Sequence, residues 1–437
     1  MTIEQPTFPL TADEFAAALR RGHGRVVQHV DRHGSNGLED ELAHACVSCL
    51  IYDPQCEKER APWLASLVDR AQMDDKVLHA IEAATRAPSS GNDRDMAQRS
   101  SILKELAAAG RDDARHLLYS SLTRLPHSSE VIGAEQIVAL DGIDGLVHVA
   151  RQLGRWLQAD PDFWVDDELV AQFGEFGALD DAMAALEREA TLDPDVASYL
   201  AGMCKTRESR GGSSPRFDVA AWSGAEILAH VNSNPKDPCH RFRRWSAQAA
   251  DSDREMVFDA LLASQEPEHV KRLFRCFVKT GVPRFDPRLL RWLDHSDAQV
   301  QWAAANTLAS NSHDELRQAA LRLMADGDMA LGVALLENNF KAGDFALCAG
   351  FLERLEDLDE AHFLAGRLLA LCEAHPVAEA TGCLLDVYAH SPCSTCRRQA
   401  VEQLVDMDAV PGWVQAEAAF DADPDTRALV AADRRLS

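Results

Sequence analysis

The sequence lacks the features that mark membrane-spanning and secreted proteins. No apolar run in its 437 residues approaches the length of about 18 that a transmembrane helix needs. The first six residues contain neither the basic nor the apolar segment of a signal peptide. The eleven cysteines are odd in number and scattered, unlike a disulfide framework. These absences predict a cytoplasmic protein with reduced thiols and no membrane contact.

Aromatic residues are also few, at 6%, and runs of β-branched residues are scarce. Both features argue against a β-rich fold. Ala and Leu dominate the apolar residues, and both are strong helix formers. The chain is too long for a single compact core and has room for two domains or one repeat array. The composition therefore predicts an all-α fold.

Acidic side chains outnumber basic ones by 70 to 44, which gives a formal net charge of −26. This charge disfavours nonspecific binding of nucleic acid or anionic membranes by the surface as a whole. A basic or neutral partner fits the charge better, although acidic residues also serve solubility alone.

The clearest helical pattern lies in residues 297–324. Apolar residues recur at i, i+3, i+4, i+7 and i+8, first in residues 300–308 and again in residues 316–324. The short polar break at 310–312 predicts a turn, so the two stripes predict an antiparallel helical hairpin. Thr11 and Glu14 predict a capping box at the first helix. Further helices are predicted at 360–372, 377–388, 393–405 and 425–435.

Hairpins repeated at about 30–45 residues predict a solenoid. Residues 295–308 resemble the second helix of the HEAT-repeat family, with Asp297, Val300 and small residues at the family's spacing. Gln301 stands where the family usually has Arg, whereas residues 423–429 keep both the Asp and the Arg. The resemblance is specific over residues 286–437. It implies an α-solenoid of antiparallel helical hairpins (HEAT-like repeats) that serves as a protein-binding scaffold.

Residues 205–216 interrupt the helical pattern with a polar stretch rich in Gly and Ser. We interpret this stretch as a loop or linker between irregular helical repeats at 1–204 and HEAT-like repeats at 217–437. A long loop within one continuous array fits the same composition.

Basic residues cluster between Arg241 and Arg291 in this otherwise acidic chain. Arginine and aromatic side chains bind phosphates and stack on bases, so neighbouring helices could line a groove with them. The alternative is that these residues pair with carboxylates of adjacent repeats. The candidate partner-binding residues are Arg241, Arg243, Arg244, Trp245, Arg272, Arg275 and Lys279.

Two Cys-x-x-Cys pairs have the spacing of zinc ligands, Cys46 with Cys49 and Cys393 with Cys396. The two pairs lie far apart in the sequence, so they are not expected to form one four-ligand site. Cys46 and Cys49 fall on the apolar stripe of a predicted helix, where cysteine acts as a small hydrophobic residue.

Cys393 and Cys396 follow Ser391 and Pro392, which predict a helix start. The thiols would then lie in the first turns, where the helix dipole favours thiolate. His390 is the candidate third ligand. Because no thioredoxin-like pattern surrounds the pair, ordinary packing is the expectation, and we predict no bound metal or cofactor.

Several catalytic motifs are missing, including the phosphate loop, the His-Glu-x-x-His zinc motif and the Gly-x-Ser-x-Gly elbow. The HEAT-like deoxyhypusine hydroxylases bind iron through His-Glu pairs, and this sequence has no such dipeptide. We therefore expect a non-catalytic scaffold that binds a protein partner through one face of the array. The second expectation is a nucleic-acid or phosphate-binding module at the Arg241 to Arg291 cluster. The third is a metal or redox protein centred on Cys393 and Cys396.

Overall fold

The computed structural model describes residues 3–86, 92–125, 130–160, 162–175, 178–210 and 219–433. Within these ranges the chain is mostly helical with almost no strand, which confirms the all-α fold class. A short antiparallel pair, β1 (Thr123–Arg124) and β2 (Val131–Ile132), is the one sheet of the described residues. The sequence did not predict this pair, because two residues per strand are too few for an alternating pattern.

The chain divides into two compact units. The N-terminal unit comprises Pro6–Pro215 and Glu417–Asp423, and the C-terminal unit comprises Met1–Gln5, Arg216–Ala416 and Pro424–Ser437. The predicted linker at 205–216 is helical in its first half, since a helix continues to Arg210. The second half of that linker lies outside the described residues.

Eleven helices of the described residues lie in the Pro6–Pro215 segment of the N-terminal unit. They are α1 (Ala12–Arg21), α2 (Arg25–His33), α3 (Glu39–Val47), α4 (Ala61–Arg70), α5 (Asp74–Arg86), α6 (Asp93–Ala108), α7 (Asp112–Ser120), α8 (Ala134–Ala159), α9 (Glu168–Glu175), α10 (Leu179–Ala190) and α11 (Pro194–Arg210). The predicted capping box is present at α1, where Thr11 and Glu14 accept each other's backbone N–H. Gly142 adopts a non-helical conformation and kinks α8.

The short segment Glu417–Asp423 completes the N-terminal unit. Arg25 donates a hydrogen bond to Glu417 at 2.9 Å, and the Trp63 indole donates to the Phe420 carbonyl at 2.9 Å. A Cβ added at Gly24 would lie 2.0 Å from the Glu417 carbonyl oxygen, so only glycine permits this approach.

The helices of the second half are α12 (Gly224–Ser233), α13 (Asp251–Ala263), α14 (Pro267–Phe274), α15 (Ala298–Leu308), α16 (Asp314–Asp326), α17 (Met329–Leu336), α18 (Asp344–Cys348), α19 (Leu358–Ala374), α20 (Ala380–His390), α21 (Ser394–Asp406), α22 (Gly412–Ala418) and α23 (Pro424–Asp433). Short 3-10 helices at Val219–Ala221, His240–Arg244, Arg275–Phe277, Pro287–Trp292 and Leu352–Arg354 separate them. Fully buried aromatic residues, among them Trp245, Phe258 and Phe274, fill the core of this unit.

Helices α15 and α16 form where the periodicity predicts them, but α16 packs mainly against α17 and not against α15. Gly327 closes α16 in the left-handed conformation, with a φ of 101°. A Cβ at Gly332 of α17 would lie 2.8 Å from the Ala320 carbonyl oxygen, so glycine permits the close packing. The tight hairpin therefore lies one helix later than predicted.

None of the described helices combines the length and the apolar character that crossing a bilayer demands.

Candidate binding site: an arginine and aromatic ridge

The basic residues between Arg241 and Arg291 divide into a paired set and an unpaired set. The paired residues are held by carboxylates of the same unit. In three of the four pairs below the carboxylate lies within four positions in the sequence, whereas the alternative interpretation expected carboxylates of adjacent repeats. The ion pairs join Arg241 to Asp237, Lys271 to Glu268, Arg284 to Asp259 and Arg288 to Asp286.

Two of the candidate partner-binding residues point into the protein. Trp245 is fully buried, and its indole N–H donates to the Trp222 carbonyl at 2.7 Å. Arg272 is 6% exposed and donates to the Val231 carbonyl at 2.6 Å. The sequence analysis named both as candidate partner-binding residues, but side chains that are buried and donate to backbone carbonyls present little surface to a partner. The segment His240–Arg244 is a 3-10 helix, and its tighter winding changes the faces of its residues.

Arg243 and Arg275 form the core of the unpaired set. Both are half-buried, and neither has a carboxylate within ion-pair distance among the described residues. The Nε of Arg243 is buried and has no hydrogen-bond acceptor in that part of the chain. Arg244 and Lys279 nearby in the sequence are exposed and likewise make no described ion pair. These four residues therefore keep their positive charge available.

The charge of Arg243 acts on Arg275, and both charges act on His240. Burial, followed by repulsion from Arg243, lowers the pKa of Arg275 below its ordinary value. Repulsion from Arg275 is the largest cause that lowers the pKa of His240. Cys239, Glu268 and Asp237 raise the pKa of Arg275 by less than burial and Arg243 lower it.

Two aromatic rings, one on α15 and one on α19, lie beside the unpaired arginine Arg243 or next to each other. The Arg243 guanidinium lies 6.0 Å from the centroid of the Trp302 ring, within the range of a cation–π interaction. The Trp302 and Phe363 ring centroids are 6.4 Å apart, and the Arg367 guanidinium lies 5.0 Å from the Phe363 ring. We call Arg243, Arg275, Trp302, Phe363 and Arg367 the Arg–aromatic ridge.

Arg367 adds a third positive charge to the ridge. It forms no ion pair within the described ranges. Its guanidinium donates to the side-chain oxygen of Asn306, a neutral acceptor. Burial lowers the pKa of Arg367. Every residue of the ridge is half-buried, so each offers part of its surface to a ligand.

The sequence identified two of the five ridge residues. Trp302, Phe363 and Arg367 were missed because they are separated from Arg243 by 59 to 124 positions, and only the packing of α15 and α19 joins them. One signal was present, since Trp302 is the single large aromatic residue on an Ala-rich helix.

The second candidate site, at Cys393 and Cys396, also differs from its prediction. Helix α21 begins at Ser394, three residues after the predicted cap at Ser391, and Cys393 occupies the N-cap position. His390 is tied to Asp386 by a 2.8 Å contact one turn earlier on α20. The histidine that approaches the cysteines is instead His362 of α19, whose Nδ1 lies 3.6 Å from the Cys396 sulfur.

The other pair, Cys46 and Cys49, is not carried on one helical stripe. Cys46 is fully buried on α3, and burial raises its pKa to about 12. Helix α3 ends at Val47, so Cys49 lies beyond it, half-buried. Its backbone N–H donates to Asp95 at 2.8 Å.

The chemistry available to the ridge is recognition of an anion. A guanidinium binds a carboxylate or phosphate through two parallel hydrogen bonds, and a ring beside it supplies apolar contact area. No protein-family model matches the chain, and no curated protein or solved structure matches it significantly.

Proposed function

We propose that the chain is a non-catalytic scaffold of HEAT-like helical hairpins that binds an acidic segment of a protein partner along the Arg–aromatic ridge. One observation carries the proposal. Arg243 and Arg275 lie near each other without carboxylate partners in the part of the chain that the structure describes, although the chain has 26 more acidic than basic side chains. Keeping two like charges close and partly desolvated costs free energy. Such a cost is typical of sites that bind the opposite charge.

The net charge of the chain supports a short acidic segment as the ligand. A long polyanion would meet the repulsion of the whole −26 surface, whereas a short segment contacts the ridge alone. Its carboxylates would bind Arg243 and Arg275, and an apolar or aromatic neighbour in the segment would pack on Trp302.

The ridge residues come from four separate helical elements, and this distribution supports a scaffold function. The 3-10 helices His240–Arg244 and Arg275–Phe277, with α15 and α19, each contribute at least one ridge residue. Repeat arrays bind extended partners in this manner, with each repeat adding a few side chains to a continuous surface.

A single-stranded nucleic acid is the second candidate ligand, favoured by the two rings between arginines. Bases stack on aromatic side chains with little regard to sequence, and flanking guanidinium groups bind the phosphates. Trp302 and Phe363, with Arg243 and Arg367 beside them, have these properties.

Fluorescence anisotropy with labelled probes tests the proposal. An oligoglutamate peptide, a peptide alternating Glu and Trp, and a mixed-sequence single-stranded oligonucleotide are titrated with the full chain at several salt concentrations. The proposal expects saturable binding of the acidic peptides, tighter for the Trp-containing one, and weakening with salt. Binding of the oligonucleotide alone would favour the second candidate. If no probe binds at low salt, the proposed function is wrong.

A further inference from the structure

A cluster separate from the proposed ligand contacts brings two cysteines and a histidine together in the C-terminal unit. The sulfur atoms of Cys393 and Cys396 and a ring nitrogen of His362 all lie within 4.8 Å of one another. The Cys396 sulfur is 3.6 Å from His362 Nδ1. Cys393 is 1% exposed and Cys396 6% exposed, so this is a largely buried cluster.

Local structure explains how the three side chains meet. Cys393 is the N-cap residue of α21 and Cys396 lies in its first turn, so both thiols are near the positive end of that helix. Helix α19 packs against α21 and carries His362 in its second turn. Metals bind cysteine in its thiolate form.

The distance between Cys396 and His362 matches tetrahedral zinc. A zinc ion held by a thiolate at about 2.3 Å and an imidazole nitrogen at about 2.0–2.1 Å separates the two donor atoms by about 3.6 Å. The Cys396 to His362 separation has this value. The Cys393 sulfur lies within 4.8 Å of both the Cys396 sulfur and a ring nitrogen of His362, so three potential ligands converge.

We propose that Cys393, Cys396 and His362 bind a zinc ion, with a water molecule in the fourth tetrahedral position. Soft thiolates with one imidazole select zinc over magnesium or calcium, and two thiolates neutralise its charge. Because the ligands come from α19 and α21, the ion would link these two helices and stabilise the unit by its binding free energy.

Two other groups in the chain provide matched comparisons. His230, Asp237 and Cys239 also lie within 4.8 Å of one another. The Asp237 carboxylate there already accepts from the Cys239 N–H and from Arg241, so a cation would have to displace a guanidinium. Cys46 and Cys49 have the same spacing as the proposed ligands, but no described histidine joins them in a comparable cluster.

The first test measures metal in the full chain, produced without a polyhistidine tag and purified under reducing conditions. After zinc reconstitution and removal of free metal, elemental analysis should give about one zinc per chain. Replacement by cobalt should produce a thiolate-to-cobalt charge-transfer band. Chelation should lower the thermal transition, and added zinc should restore it. A reconstituted chain without zinc overturns the proposal.

Variants then locate the ion. The pair C393S/C396S should abolish zinc binding, and H362Q should weaken it at least tenfold. H390Q and C46S/C49S should retain one zinc per chain, because neither removes a proposed ligand. Retention of zinc by C393S/C396S, or its loss in C239S or C46S/C49S, places the ion elsewhere and contradicts the proposal. The cobalt spectrum of the unmodified chain does not depend on whether any variant folds.

Discussion

Two pairs of arginines in the basic cluster of the C-terminal unit have the same side chain but differ in whether a carboxylate neutralises it. Arg284 and Arg288 pair with Asp259 and Asp286, and Arg288 helps to lower the pKa of Asp286 to about 2. Arg243 and Arg275 have no such partners among the described residues, and burial, followed by the charge of Arg243, lowers the pKa of Arg275. A basic cluster in a sequence therefore mixes charges that carboxylates neutralise with charges that no carboxylate of the described residues neutralises.

The largest expected effect comes from removing the unpaired charges. R243Q/R275Q should weaken oligoglutamate binding about 100-fold, because each charge-assisted hydrogen bond contributes about 1.5–3 kcal/mol. Fluorescence anisotropy at fixed low salt measures this change. Thermal unfolding should be unaffected or slightly improved, since the substitution relieves repulsion without breaking an ion pair.

The matched control is R284Q/R288Q. It removes the same number of positive charges from the same unit, but these charges are already neutralised. Its affinity should stay within about threefold of the unmodified chain. If the two double variants lose the same affinity, net charge alone governs binding. The distinction between paired and unpaired arginines would then be wrong.

A smaller effect is expected at the aromatic part of the ridge. W302L keeps an apolar side chain but removes the ring beside Arg243, so binding of the Glu–Trp peptide should fall about threefold to tenfold. W164L is the control, because Trp164 is an exposed tryptophan of the N-terminal unit, at 46% exposure. If W302L and W164L bind alike, the aromatic residues do not belong to the site.

The smallest binding effect should come from removing the carboxylate partner of a paired cation. D237N removes the carboxylate that holds Arg241, so affinity for oligoglutamate should rise roughly twofold. An unchanged or lower affinity would mean that Arg241 does not add to the positive potential of the ridge.

The same substitution carries a stability prediction. The backbone N–H of Cys239, then His230 and Arg241, lower the pKa of Asp237 to about 2. A depressed folded-state pKa stabilises the fold above the unfolded value of 3.8 and loses that effect as pH falls toward 2. D237N should therefore cost about 1–2 kcal/mol at neutral pH. Urea unfolding at neutral pH and at pH 3 should show this difference shrinking, and a constant difference contradicts the assigned cause.

Periodicity and caps sufficed to predict the fold class and much of the local structure. The capping box of Thr11 and Glu14, the turn at Gly327 and helices α15, α16 and α19 all depend on residues close in sequence. The pairing of α16 with α17 could not be predicted, because it depends on the space that Gly332 leaves for Ala320.

The candidate site was predictable only in part, for a related reason. Charge type identified Arg243 and Arg275, but whether an arginine finds a carboxylate depends on tertiary packing. Trp245 is an example, because its indole N–H donates to the backbone carbonyl of Trp222 inside the core, a contact that the sequence does not reveal. His362 reaches Cys396 only through the packing of α19 on α21, whereas His390, closer in sequence, is held by Asp386.

The most direct test follows the arginine side chains themselves. In protein labelled with nitrogen-15 on arginine, the Nε–Hε signals are assigned by single substitutions and recorded during titration with the Glu–Trp peptide. We predict that the Arg243 and Arg275 signals shift and saturate together, while the Arg284 and Arg288 signals do not shift. Shifts confined to Arg284 and Arg288, or no shift at Arg243 and Arg275 when the peptide is bound, would contradict it.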